Sequence, residues 1–371
     1  MSRQGDVSHA FTPAQEESNL AASVIIPVYN GTSCITDCLC ALARQTMAIE
    51  RYEIIIVDDG STDEIDAVIT KWIQANPTVH CKFIRQTNQG PAAARNRGAQ
   101  VAHGELLLFT DADCIPVPHW IETFVRAFGE SNTTRVPQRD SRVNRDRVSA
   151  AMGTYRSNQP TVAAQFAQLE FEERYVHMAH ESTIDVVATY SAAFRRTVFS
   201  SAEGFDPSFP KANNEDVELS YRLSEVGHRM IFVPAAIVYH PHGATWWDYA
   251  QTKLGRAYWR TIVYKRYPGK ALKDSYTPQM LKVQIVLAPL CILGLGWFLF
   301  THELQALSLI VPFLLTTVPM ARLALQKHQG WLALWVPWGL WLRSIVFGMG
   351  VAAAILFGNR NGHAVESALQ K

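Results

Sequence analysis

Two carboxylates one residue apart, Asp111 and Asp113, close the apolar run Leu106-Leu107-Leu108-Phe109 in the stretch LLLFTDADC. A run of this kind, bounded by Gly104, reads as a buried strand of a parallel sheet. Ligands of open α/β sheets gather beyond the carboxyl ends of strands. Two acids placed there stay ionised together only when a cation or hydrogen bonds compensate them. Hard oxygen ligands suit Mg2+ or Mn2+ held together with phosphate oxygens. The plainer alternative is a strand-end pair capping the helix that follows Pro116 and Pro118.

The elements that must position these acids follow from periodicity. SVIIPVY (23–29) is a first buried strand, turned by Asn30-Gly31, with a helix over about 32–45 carrying Ile35, Leu39 and Leu42 at helical spacing. EIIIV (53–57) is a second strand ending in Asp58-Asp59-Gly60-Ser61, and 63–75 is the next helix. Val79 to Arg85 is a third strand, Gly90-Pro91 opens a helix through Ala99, and Leu106 to Thr110 is the fourth strand. This β-α-β-α-β-α-β order predicts an α/β, Rossmann-like, mostly parallel sheet with helices on both faces. No GxGxxG follows the first strand, so the dinucleotide fingerprint of an oxidoreductase is missing. Between Glu130 and Arg147 five arginines alternate with Asp, Ser and Asn, which reads as a solvated loop or as an electropositive patch for anionic lipid or diphosphate. Pattern resumes at 148–155, a helix spans about 161–178, and 185–189 reads as a short strand. A helix covers 215–225 with Gly227 as its C-cap, and two strands, 229–233 and 236–239, are separated at Pro234.

Net charge is +1 over 371 residues, so no global field points to nucleic acid. Six cysteines without a CxxC pair read as buried thiols of a reducing compartment. The first twenty residues have no apolar core; a mobile tail and no signal peptide are expected, with a second tail at 359–371. The last third is different. Residues 283–300 and 304–321 carry no charge, and 331–358 has only Arg343. These are two or three transmembrane helices over 281–358, the first two joined as a hairpin by Thr301, His302 and Glu303. Arg343 at mid-span is costly in lipid and needs a partner, or the third run lies partly in the membrane plane. From Lys253 to Lys282 there are eight Lys or Arg against one acid, Asp274, interleaved with aromatics. That segment, 245–280, is expected to lie in the interface. The positive-inside rule then puts the N-terminal domain in the cytoplasm, on the inner (plasma) membrane of a multi-pass protein.

Six motifs stand in one order: SVIIPVYNG, VDDGSTD, NQGPAAARNRG, TDAD, NNEDVELSYR and YHPHG. This order resembles the family 2 glycosyltransferases, inverting enzymes of the GT-A fold, over about Ser23 to His242. The resemblance implies a GT-A catalytic domain over 21–244, a nucleotide diphosphate sugar as donor, and Mn2+ or Mg2+ as cofactor. It puts Pro27, Tyr29 and Asp59 around the base and ribose, with Asp58 left as a turn-former bonding local backbone. It puts Arg95 on the donor side, either on the nucleotide or in a salt bridge to one of the acids. Asp113 becomes the direct metal ligand and Asp111 a ribose or water-mediated contact. Asp216 becomes the base that deprotonates the acceptor hydroxyl, with Glu215 orienting the acceptor or a basic partner; the alternative is two acids favoured by a helix dipole. Of the histidines, His240 best fits a return to the metal or diphosphate and His242 less so. The Gln-x-x-Arg-Trp motif of processive synthases is absent, since Gln251, Arg256 and Trp259 stand at other spacings. The expected activity is therefore transfer of one sugar to a lipid or lipid-linked acceptor. A processive polysaccharide synthase and an inactive membrane scaffold are the alternatives, the latter opposed by the joint presence of Asp59, Asp111, Asp113 and Asp216.

Overall fold

The computed structural model describes residues 20–130, 147–209 and 214–358. The two expected tails and the arginine stretch at 131–146 lie outside them. β1 (Ala22–Val28), α1 (Ile35–Ala43), β2 (Tyr52–Asp58), α2 (Ile65–Ala75), β3 (Cys81–Arg85), α3 (Pro91–Gln100) and β4 (Leu106–Phe109) alternate as expected. The four strands pair in parallel in the order β3-β2-β1-β4. β2 and β4 are buried at every position because helices cover both faces, hence continuous apolar runs in place of alternation. The register aligns Val28 with Asp58 and Ile25 with Phe109, so the turns after β1, β2 and β4 open on one edge of the sheet. At Gly60, φ is +78° and a Cβ would meet the Asn88 nitrogen at 2.8 Å, so only glycine lets that turn close on the next loop.

β5 (Ile115–Pro116), α4 (Trp120–Glu130), β6 (Val148–Arg156), α5 (Val162–Met178), β7 (Ala192–Arg195), α6 (Arg196–Ser201), α7 (Glu215–Glu225) and β8 (Arg229–Tyr239) complete the sheet as β4-β7-β6-β8-β5. β7 runs antiparallel to β4 and β6, so this half is mixed. Two expectations are corrected. Residues 185–189 form no strand. Their backbone is satisfied by side chains: the Asp185 N–H donates to Ser275 Oγ at 2.9 Å and the Val187 N–H to Ser220 Oγ at 2.9 Å. Pro234 does not split a strand either. β8 is continuous, and the register jump from Met152↔Phe232 to Thr154↔Ile237 absorbs the proline as a bulge. The Pro234 carbonyl still accepts from Thr154 Oγ1 at 2.9 Å.

α8 (Trp246–Arg266) starts in a capping box between Thr245 and Asp248. α9 (Pro268–Leu272), α10 (Gln279–Thr301), α11 (Val311–Gln326), α12 (Gly330–Ala333) and α13 (Val336–Phe357) follow. Three stretches, 279–301, 304–326 and 336–357, are long and apolar enough to cross a membrane, and the first two form the expected hairpin. α13 lies along α8, where a Cβ on Gly350 would meet the Leu254 carbonyl at 2.7 Å. Arg343 has its partner. Its guanidinium donates to Glu170 on α5 at 2.9 Å and to Gln284 on α10 at 2.6 Å. Glu170, fully buried, also holds Lys253 at 2.6 Å and the Tyr249 hydroxyl at 3.0 Å, both on α8. Glu170 thus ties α5 to α8 and α13, and Arg343 carries the link on to Gln284 of α10. Burial opposes the ionisation of Glu170, yet Lys253 and Arg343 outweigh burial and hold its carboxyl below the usual range.

Candidate active site

The loop after β4 carries Asp111 and Asp113 and is closed by the Cys114 N–H donating to the Asp111 carbonyl at 3.0 Å. His240 stands at the end of β8, anchored by its own N–H on the Arg156 carbonyl at 2.9 Å. Its Nε2 lies 3.2 Å from Asp113 Oδ1, and its Nδ1 lies 2.8 Å from the Tyr155 hydroxyl. Burial would lower the imidazole's pKa, but the Asp113 carboxylate outweighs it and raises it above 6.5. Asp113 moves the opposite way: burial opposes the charge, and His240 pulls the carboxyl below its usual range. His242 is held differently, by the Tyr155 hydroxyl at 3.1 Å, Gln168 at 3.1 Å and the face of Phe171. Burial pushes it down to about 3, so it is a neutral packing residue.

Groups able to hold a divalent ion gather at this edge. Asp111, Cys114 and His240 place ligand atoms within 4.8 Å of one another. The buried Cys114 thiol is pushed well up by burial and by both acids, so it stays protonated. With the thiol set aside, Asp111 and His240 remain of that cluster, and Asp113, 3.2 Å from His240, offers a second carboxylate beside it. That set fits Mn2+ or Mg2+ and not a thiophilic metal.

Arg95 is only 2% exposed, and it bridges the two acidic motifs. One nitrogen donates to Asp111 at 2.7 Å and another to Glu215 at 2.7 Å. Of the two readings of Arg95, the salt bridge to the acids is the one seen here. Glu215 turns into the protein, its Oε2 without a partner. Burial raises it to about 7 against the pull of Arg95. Asp216 turns the other way, half-buried, with Oδ2 accepting from the Thr189 N–H at 3.3 Å and Oδ1 from the Val217 N–H at 2.8 Å. Asn214 sets this divergence with a left-handed φ of +69° at the helix start, held through its Oδ1 by Arg260 at 2.8 Å. No local signal in the sequence ties Asn214 to a residue 46 positions away.

On the donor side, Asp59 accepts three hydrogen bonds from the loop that leads into α3. Gln86 Nε2 and the Gln89 N–H donate to Oδ1 at 2.8 and 2.9 Å, and the Gly90 N–H donates to Oδ2 at 2.8 Å. It shapes the loop that leads into α3. Asp58 caps its own turn on the Ser61 N–H at 2.9 Å and faces Arg85, as the turn-former reading expected. Pro27 is half-buried in β1, and Tyr29, half exposed, follows it on the same edge.

A cavity of about 540 Å3 begins at Arg95, Asp111, Glu215 and Asp216 and reaches Leu281 and Ile285 of α10 and Phe347 and Val351 of α13. Asp113, His240 and Asp59 do not line it. Two compartments therefore meet at the acids: a metal-competent edge of the sheet, and a cleft that ends among the apolar helices. Arg174, Arg256 and Arg260 also line that cleft and had no role at the level of motifs.

A sheet of this order, with strand-end acids and an acidic helix start across from them, resembles the GT-A fold. The fold is shared with a mannosyltransferase of Pyrobaculum calidifontis solved with GDP-Man and Mn2+: TM-score 0.55, 20% identity, covering 92% of this chain and 88% of that one. Residues 23–200 match glycosyl transferase family 2, so this part of the chain is a domain of that family. It is 39% identical over 100 residues to the glycosyltransferase AglE of Haloferax volcanii, which covers 27% of this chain and 33% of that one. It is 26% identical over 230 residues to the pre-mycofactocin glycosyltransferase of Mycobacterium tuberculosis, covering 62% and 44%. The aligned part spans between a third and a half of these relatives' length.

Proposed function

We propose that this chain is a metal-dependent, inverting glycosyltransferase that moves one sugar from a nucleotide diphosphate sugar to a lipid or lipid-linked acceptor at the cytoplasmic face of the inner membrane. The observation that carries the reading is the cleft that runs from Glu215 and Asp216 to the apolar side chains of α10 and α13. A water-soluble acceptor has no use for that apolar end. The Mn2+-bound structural neighbour, the proximity of Asp111 to His240 and the Asp113–His240 contact support a divalent cation.

When bound, such a cation neutralises the charge that grows on the departing diphosphate. Asp113, steadied by His240, holds the ligand position. Arg95 keeps Asp111 and Glu215 in register, so the two motifs cannot drift apart. Asp216, braced by the Thr189 N–H, takes the proton of the acceptor hydroxyl as that oxygen bonds to the anomeric carbon. The bond from that carbon to the diphosphate oxygen breaks on the opposite face, and the nucleoside diphosphate leaves with the electron pair. One displacement inverts the anomeric centre.

The test is the full-length protein with Mn2+ and a panel of nucleotide sugars, reading slow donor hydrolysis to find the donor, then the Asp216→Asn variant with that donor. The amide keeps shape but takes no proton. Donor affinity should be unchanged and kcat should fall by about 10²–10⁴-fold. Retention of more than about a tenth of the rate moves the base elsewhere.

A further inference from the structure

Among the described residues, the cleft between α7, α8, α10 and α13 holds two guanidinium groups, those of Arg174 and Arg256, that touch no carboxylate. Lys253 is paired with Glu170, and Lys265 and Lys282 donate to the carbonyls of Ala354 and Leu272 at 2.8 and 2.6 Å. Arg95 takes Asp111 and Glu215. Arg260 has Asp274 at 3.8 Å. Arg174 and Arg256 form no salt bridge. Arg174 is 8% exposed, and its one hydrogen bond is to the Tyr276 hydroxyl at 3.5 Å, with the rings of Phe171 and Tyr276 at 5.0 and 4.9 Å. Arg256 is exposed to the cleft, and its side chain has no protein partner. Arg174 is buried and feels the Glu170 and Glu173 carboxylates without touching them, and Arg256 is open to the cleft. The two together leave positive charge facing the cleft, where an anion would be held.

We propose that Arg174 and Arg256, supported by Arg260, bind a phosphate headgroup of the lipid acceptor. This rests on the lipid-acceptor reading above. Two observations select the lipid as the source. Of the metal-competent residues, Asp113 and His240 lie outside this cleft and Asp111 stands where it begins, so the donor's diphosphate would sit beside the cleft and not along it. The far end of the cleft is lined by Leu281, Ile285, Phe347 and Val351, a surface that only a hydrocarbon chain would cover. A phosphate on the guanidinium pair would set the acceptor's reacting group at Asp216, on the same wall.

The experiment uses the full chain in lipid nanodiscs, without donor. Binding of farnesyl phosphate, farnesol and inorganic phosphate is measured, and nucleotide diphosphate binding with Mn2+ serves as the folding control. Farnesyl phosphate should bind at least about tenfold more tightly than farnesol, and inorganic phosphate should displace it poorly, because charge-assisted contacts and the apolar end act together. Arg256→Gln and Arg174→Gln should each weaken farnesyl phosphate about tenfold, with nucleotide affinity retained. Arg256 is exposed, so its substitution keeps the test valid if the buried Arg174→Gln fails to fold. Equal affinity for farnesol and farnesyl phosphate, or full affinity in the folded variants, overturns the headgroup site and leaves the lipid acceptor standing. Displacement by inorganic phosphate at similar affinity overturns the lipid source. A loss of nucleotide affinity with farnesyl phosphate unaffected reassigns the arginines to the donor. If neither prenyl compound binds while the nucleotide does, the lipid-acceptor reading falls as well.

Discussion

Removing the Glu170 carboxylate should damage this protein more than removing Arg343, although Arg343 is the charge that stands in an apolar helix. The reason is the shape of the knot. Glu170 faces Lys253 at 2.6 Å and Arg343 at 2.9 Å, and all three side chains are at least 96% buried. At those separations each pair attracts by about 6 kcal/mol at an effective dielectric of 20, most of which offsets desolvation. Glu170→Gln leaves two buried cations with no carboxylate, and breaking a buried pair of this kind costs about 3–5 kcal/mol. Arg343→Met leaves Glu170 its Lys253, puts an apolar side chain where lipid and helices already surround it, and should cost about 0–2 kcal/mol. Thermal unfolding of the full-length protein in nanodiscs reads the difference. At about 2 °C per kcal/mol for a large chain, Glu170→Gln should lower Tm by roughly 6–10 °C and Arg343→Met by no more than about 4 °C. Equal losses, or a larger loss for Arg343→Met, would refute the idea that one carboxylate organises the junction between the sheet and the apolar helices.

Asp113→Ala should abolish Mn2+-dependent donor binding without unfolding the protein, since Asp113 is 40% exposed and holds only His240; calorimetric titration of the donor with and without Mn2+ checks it. His240→Ala should weaken Mn2+-dependent activity more than His242→Ala, because only His240 touches Asp113, and equal small losses would make both residues structural. Glu215 has its pKa raised to about 7 from 4.5, so its contribution to stability is full below about pH 4.5 and is lost as pH rises through 7. Glu215→Gln should remove that dependence, and the Tm of the variant relative to wild type should therefore climb between pH 5 and 8. A flat difference would mean that Arg95 keeps Glu215 ionised throughout.

Much of this protein is set by local pattern. Continuous apolar runs ending in acids demand buried parallel strands with their turns on one edge, so β1 to β4 and the places of Asp59, Asp111 and Asp113 follow from the chain itself. The uncharged runs of the last third likewise require long apolar helices, and the three-residue link requires the hairpin. Other features depend on which distant segments meet. Residues 185–189 read as a strand, yet Ser275 of the loop after α9 and Ser220 of α7 take the backbone N–H groups of Asp185 and Val187. Pro234 would end an isolated strand, but pairing with β6 on both sides of it sustains β8 through a bulge. Arg95 could have faced a nucleotide or an acid, and only the packing of α3 against α7 gives it to Glu215, 120 residues away. Arg343 needed a partner, and nothing within its own helix names Glu170, 173 residues before it. The cleft that joins Asp216 to α10 and α13 exists only once α8 is laid between them. A pairing energy depends on distance and dielectric, and both are set by long-range register, which no stretch of sequence contains by itself.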